Sequence, residues 1–228
     1  MRLRDRIETL PIPVHLCIGN HDERPVFAEV FPERLDANGF VQTVAPFSYG
    51  KGILIDTWAP ETHAGFFCET RAEWLNSVLS EMDAPAWFFL HHNPAPTHIG
   101  PMDQIMLLDA GRFGDLVERH RAKIAHIFHG HCHLPLSGSF RGVLVSAPRG
   151  TNHAGWANFG EKNLLSGSYL PEAYSVIFAS QDAVTVHMVE YGYDGEVMIE
   201  ASPDYASWDR SVMVRRLSGE KVTEGEGH

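Results

Sequence analysis

Histidine carries most of the chemistry this sequence offers. Three stretches end a short apolar run in imidazole or amide side chains: Cys17-Ile18-Gly19-Asn20-His21-Asp22, Phe89-Leu90-His91-His92-Asn93-Pro94 and Phe128-His129-Gly130-His131-Cys132-His133. Imidazole is the commonest metal ligand among side chains, and mixed nitrogen and oxygen sets suit divalent transition ions. In an open α/β sheet, ligands bind beyond the carboxyl ends of the strands. Loops far apart in sequence therefore meet there. His131 and His133 are two apart, and in an extended backbone residues two apart point to the same side. Both rings then face one centre, with His129 on the same side. Taken singly, each stretch has an ordinary reading, because Asn and Asp favour turns and such side chains also satisfy backbone groups at strand ends. Together, each at a strand end, they point to one shared site.

The rest of the chain limits what that site serves. With 228 residues, 44% of them hydrophobic, the chain has enough for one substantial domain. No apolar run approaches the roughly 20 residues of a membrane span. Met1 to Leu10 mixes charged and apolar residues without a signal-peptide core, so a cytoplasmic protein is expected. Cys17, Cys68 and Cys132 are odd in number and widely spaced, which argues for reduced thiols rather than a disulfide framework. The net charge of -11 argues against binding a nucleic-acid polymer. It leaves room for a small anionic ester if a bound cation supplies the positive charge.

Elements that would position the three stretches are legible. Met1 to Thr9 has helical spacing. Val14 to Ile18, Ile53 to Ile55, Ala86 to Leu90 and Ile124 to Phe128 are short apolar runs that predict buried strands. Glu23 to Phe31 and Leu116 to His120 predict helices, and Ser48 to Gly52 a hairpin turn. Thr70 and Glu73 form a capping-box pattern ahead of Trp74, Leu75, Val78 and Leu79. Ser139 to Ser146, Tyr174 to Ala179 and Val184 to Val189 read as strands without helices between them. The expectation is one layered α/β domain over residues 1–200 and a polar tail over 201–228.

Gly19-Asn20-His21-Asp22, His91-His92-Asn93-Pro94 and Gly130-His131-Cys132-His133 resemble three motifs of the calcineurin-like metallophosphoesterases. Ile53 to Thr57, Met102-Asp103 and Gly150-Thr151-Asn152-His153 extend the likeness toward the branch that includes class III cyclic-nucleotide phosphodiesterases and glycerophosphodiesterases. The resemblance covers about residues 3 to 195. It implies a four-layer αββα sandwich, two divalent ions (Mn, Fe or Zn) and hydrolysis of a small phosphodiester by metal-activated hydroxide. Carried over, Asn20, His92, His131 and His133 are metal ligands. His21 is the catalytic group beside the phosphate, and His129 and His153 join it in substrate binding. His91 is then a structural partner, while His63, His98, His126 and the remaining histidines are ordinary residues. The stretches His63 to Thr70 and Pro94 to Arg112 are expected to select the substrate. Relatives often associate, so a homo-oligomer is among the expectations.

The family's Asp-x-His and Gly-Asp motifs, which supply further ligands and the bridging aspartate, do not occur ahead of Gly19 or as a permuted copy in the C-terminal third. A sandwich truncated at its N-terminus is therefore expected, with a weakened centre of one ion or none and exposed apolar strand edges. The alternative function is a non-catalytic relative that binds metal weakly or acts as an interaction module.

Overall fold

The computed structural model describes residues 3–192 and 210–219. The chain divides into two units, Met1–Tyr193 and Asp194–His228. The polar tail expected from residue 201 lies outside the described residues except for 210–219, which hold a helix, Arg210–Leu217.

The first unit is a mixed α/β fold built on a six-stranded sheet. Its strands are β1 (Thr43–Pro46), β2 (Lys51–Ile55), β3 (Ala86–Leu90), β4 (Ile124–His129), β5 (Leu136–Phe140) and β6 (Val143–Ala147), in the order β1-β2-β3-β4-β6-β5. β2, β3, β4 and β6 run parallel, and the outer pairs β1/β2 and β5/β6 are antiparallel. The central strands read as near-continuous apolar runs because both of their faces are covered, the usual state of parallel strands. Helices α1 (Leu3–Glu8) and α2 (Arg24–Val30) flank the first histidine stretch; α3 (Glu69–Glu81), α4 (Gly100–Asp103) and α5 (Ala110–Arg119) follow in the crossovers.

One face of the sheet is closed by α3 and α5. Ile53, Ile55, Phe88, Leu90, Ile127, Val143 and Val145 form a single core with Leu75 and Leu79 of α3 and Phe113, Leu116 and Val117 of α5. The other face is aromatic: Phe89 stacks on Phe128 at 5.1 Å, and His126 stacks on Phe128 at 4.3 Å. Beyond it lies a hairpin of β9 (Glu172–Ala179) and β10 (Val184–Tyr191). An apolar groove of about 530 Å³, lined by Phe47, Trp87, Phe89 and Phe128 on one side and Ile177 to Ala179 on the other, separates the two. Among the described residues, the helices, the six-stranded sheet and this hairpin make up the expected layered α/β architecture. A short ladder, β7 (Ala154–Gly155) with β8 (Gly167–Ser168), stands apart from both.

Several local expectations change. Val14 to Ile18 is not a strand, since no described segment pairs with it and a strand requires a hydrogen-bonded neighbour. Only Ile18 of that run is buried among the core residues. Helix α3 begins before the predicted capping box. Cys68 is its N-cap, without a side-chain cap bond, and its carbonyl accepts from the Ala72 N–H at 3.0 Å. Ser139 to Ser146 is two strands rather than one, turned at Arg141 and Gly142 with φ of 51° and 80°. Two consecutive positive φ angles make the tight turn that suits the twist of a hairpin. The Ser48 to Gly52 turn is present, with Gly50 at φ 87°, a conformation that costs glycine little. Pro25 falls in the first turn of α2, where its missing N–H leaves no hydrogen bond unmade.

A buried charge network ties α2 to the end of β2. Asp56, fully buried, accepts from Arg24 Nε at 2.8 Å and Nη2 at 2.9 Å, and from the Val41 and Trp58 N–H groups at 2.9 Å. Arg71 of α3 donates to the Asp56 carbonyl at 2.8 Å and lies over Phe40 at 4.8 Å. Removing one partner of such a group strands the other charges in the interior. Asp56→Ala is expected to cost about 3–5 kcal/mol, read by urea unfolding; a loss under about 1 kcal/mol would show that water reaches the arginines.

Candidate metal centre

The parallel register of β3 and β4 sets Leu90 opposite His129, so the two histidine loops leave the sheet side by side. The Gly130 N–H donates to the His91 carbonyl at 3.0 Å, and the Cys132 N–H to the Gly130 carbonyl at 2.7 Å. His131 and His133 both have positive φ, 64° and 52°. They are not extended, as the two-residue spacing had predicted. Both nonetheless line one pocket, because a turn of left-handed residues brings their rings round. Such backbone is costly for residues with a Cβ and clusters at functional sites.

Three polar atoms converge here. His91 Nε2 lies 2.9 Å from Asn20 Oδ1 and 3.2 Å from His131 Nδ1. The His91 and His131 rings meet edge to face at 5.1 Å, and His92 stands 4.7 Å from His131. Among the described residues, His91, His92 and His131 are the group whose ligand atoms could close on one ion. His131 Nε2 is buried without a hydrogen bond, although the Ile105 carbonyl is near enough to hold the ring's pKa up slightly. Burial first, then neighbouring imidazoles, pushes His91 down to about 3, while burial pushes His131 down to about 4 against the pull of Ile105. At neutral pH both rings are uncharged and each keeps a lone pair for a cation.

His91, expected to be a structural partner, joins the expected ligand His92 in this cluster. His92 is fully buried and both its ring nitrogens are engaged: Nδ1 with Thr57 Oγ1 at 2.8 Å, Nε2 with the His63 carbonyl at 3.2 Å. A carbonyl accepts only, so Nε2 carries the proton and Nδ1 accepts from the Thr57 hydroxyl. In this tautomer both nitrogens of the ring are engaged. His91 presents its Nε2 to Asn20 and His131 as well. Glycines make the close packing achievable: a Cβ on Gly19 would lie 2.6 Å from His91 Cε1, and one on Gly65 would lie 2.5 Å from His92 Cγ.

Beside the centre is a pocket of about 260 Å³ that Asn20, His21, His131, His133 and His153 line together. His133 and His153 rings are 4.1 Å apart. His21 faces His63 at 5.2 Å. His129, expected to meet substrate, does not reach the pocket. It is buried at the end of β4 with its Nδ1–H on the Gly130 carbonyl at 3.0 Å, and burial pushes it down to about 4. Sequence reasoning missed Thr57 and His63, whose Nδ1 accepts from the Asn20 amide at 3.1 Å. Thr57 had a signal, a polar residue directly after the apolar run of β2; His63, in a loop without a motif, had none. Ile99, Met102 and Ile105 from the predicted selecting stretch do form a wall of the pocket, whereas 63–70 contributes no lining residue.

The fold and this histidine cluster define the class of protein. The sequence profile of the calcineurin-like phosphoesterases matches residues 1–135, and the chain belongs to that family. It is 36% identical over 191 residues to a probable cyclic nucleotide phosphodiesterase of Rhodopseudomonas palustris (strain ATCC BAA-98 / CGA009), covering 82% of this chain and 69% of that one. A probable cyclic nucleotide phosphodiesterase of Synechococcus sp. (strain ATCC 27144 / PCC 6301 / SAUG 1402/1) is 29% identical over 137 residues, and the alignment spans half of its length. The fold is shared with a dimetal phosphatase from Danio rerio, at a TM-score of 0.60 and 13% identity, over 81% of this chain and 72% of that one. No helix among the described residues is long and apolar enough to cross a membrane.

Thr57 is fully buried, so its hydroxyl is the donor that His92 Nδ1 cannot replace with water. Thr57→Val, close to isosteric, is expected to lower stability by about 1–3 kcal/mol, the penalty for a buried acceptor left unmade. Thr57→Ser should retain most of it. Thermal or urea unfolding of the pair checks this, and equal losses in both would show that the methyl, not the hydroxyl, matters.

Proposed function

We propose that this chain is a metal-dependent phosphoesterase acting on small phosphodiesters, with cyclic nucleotides or glycerophosphodiesters as the substrate class. The observation that carries the reading is the meeting of Asn20 Oδ1, His91 Nε2 and His131 Nδ1 around one point. Two neutral imidazoles and an amide oxygen so placed repel unless a proton or a cation lies between them. In the structure a single N–H serves both contacts of His91; a divalent ion would satisfy all three atoms. The ligand types suit Mn, Fe or Zn. Bound there, such an ion supplies Lewis-acid polarisation of a phosphoryl group.

The chain's own residues do the rest. Thr57 and the His63 carbonyl hold the His92 ring, which packs against both His91 and His131. His92 thereby fixes the two rings, as outer partners do at metal sites, and is itself a member of the candidate ligand group. His21, on the pocket wall, is positioned to donate a hydrogen bond to the phosphate or the leaving oxygen. His133 stands with His153 rather than with His131. We assign that pair to the phosphate side of the pocket, or to a second ion. The names of the curated relatives support the nucleotide class. The free thiols support a cytoplasmic setting, and a homo-oligomer rests on the family resemblance alone.

A second reading has its own observation. The described cluster is wholly imidazole, and the one carboxylate in the first histidine stretch, Asp22, is turned back onto the Gly19 N–H at 2.7 Å. A centre without a carboxylate binds a cation less tightly and leaves more of its charge uncompensated. On this reading the chain holds one ion weakly and does not turn over.

Equilibrium dialysis with Mn²⁺ separates these outcomes when paired with hydrolysis of bis(p-nitrophenyl) phosphate. His91→Ala and His131→Ala are expected to weaken binding about 10- to 100-fold, with turnover falling in step, while His187→Ala on β10 leaves both unchanged. Gly19→Ala, whose Cβ displaces the His91 ring, should weaken binding in the same direction. Binding without turnover favours the second reading, and binding that ignores His91 and His131 rejects the site altogether.

A further inference from the structure

The pocket beside the histidine cluster has a mixed lining. With the imidazoles it takes in an apolar set, Ile99, Met102, Leu134, Trp156 and Leu165. This apolar set is held in register with the histidines by backbone. The Gly155 N–H donates to the His133 carbonyl at 2.8 Å, and the next residue, Trp156, donates its N–H to the Ser166 carbonyl at 2.8 Å. Ile99, Met102, Cys132 and Leu134 form a small core of their own, so the set has a firm base. Trp156 both lines the pocket and is open to solvent, at 56% exposure.

Size decides how a substrate would lie. About 260 Å³ is below the roughly 300–1,000 Å³ of pockets that enclose a drug-sized ligand. A phosphoester seats its phosphate among the histidines and rests its remaining part against the apolar set. A glycerol group there has no flat face to lay on Trp156. A nucleobase would lay a flat π-face on the indole. We infer that Trp156 is a specificity-determining residue that stacks the base of a nucleotide ester, and that the pocket selects nucleotide over glycerol phosphoesters. The inference rests on the phosphoesterase reading and narrows its substrate class.

The test is isothermal titration of the full chain in Mn²⁺ with inorganic phosphate, glycerol 3-phosphate and AMP. The wild-type chain is expected to bind AMP more tightly than glycerol 3-phosphate. Trp156→Ala should lower the ratio of AMP to phosphate affinity about 5- to 150-fold, the range of a base stacked on an aromatic side chain; Trp156→Phe should keep most of that ratio. Because Trp156 is more than half exposed, its truncation opens no core, and the phenylalanine variant controls for folding. Equal affinity for AMP and glycerol 3-phosphate, or a ratio unmoved in Trp156→Ala, overturns the inference while phosphate binding stands. Failure to bind phosphate at all overturns the phosphoesterase reading and this inference with it.

Discussion

Everything at the candidate centre depends on one pairing, the parallel ladder between β3 and β4. Parallel strands end on the same edge of a sheet, and the register of Leu90 with His129 makes the next residues of both chains neighbours. His91 and His131 are 40 positions apart in sequence, yet they come within hydrogen-bonding distance because each lies within two residues of the end of its strand. An antiparallel arrangement of the same two segments would put them at opposite ends. The apolar core beneath the sheet serves this pairing, since α3 and α5 hold the strands in a plane and fix where their ends lie.

Around that pairing the structure places a set of locks. Asp56 gathers two arginines at the end of β2, and the next residue, Thr57, orients His92. His92 then packs against both His91 and His131. This order explains why a buried charged network lies so near a neutral imidazole cluster. A network of this kind contributes little net stability compared with apolar packing, but it admits few alternative geometries. It fixes the carboxyl end of β2, and through Thr57 the direction of a ring that touches both convergent histidines.

The centre is uncharged, on a chain whose overall balance is strongly acidic. Burial and neighbouring imidazoles keep His91 and His131 unprotonated at neutral pH, so these two rings offer an anion no positive charge. On the proposed function, a cation held there would supply that charge and join metal occupancy to substrate binding. The apolar lining of the pocket adds the opposite kind of recognition, contact area without charge. Phosphate at the imidazoles and a flat apolar group at that lining is a division of labour that a single charged cleft would not give.

Strand and helix periodicity, with the polar residues at strand ends, determined most of the sheet and the three loops that meet at its edge. Those features are local: an apolar run buries itself, and a histidine after it must leave the sheet. Val14 to Ile18 shows the limit, since its composition is strand-like but pairing needs a neighbour that composition does not report. The single strand read over Ser139 to Ser146 failed in a related way, because its turn was hidden in an ordinary Arg-Gly pair. What each of two adjacent histidines touches was decided only in three dimensions. His91 and His92 are the same residue type, and their order along the chain says nothing about whether Thr57 or Asn20 will be the partner of each. The left-handed backbone at His131 and His133, the capture of His63 and the placement of Trp156 in the pocket lining are likewise products of packing between segments far apart in sequence, where the partner, not the residue, sets the role.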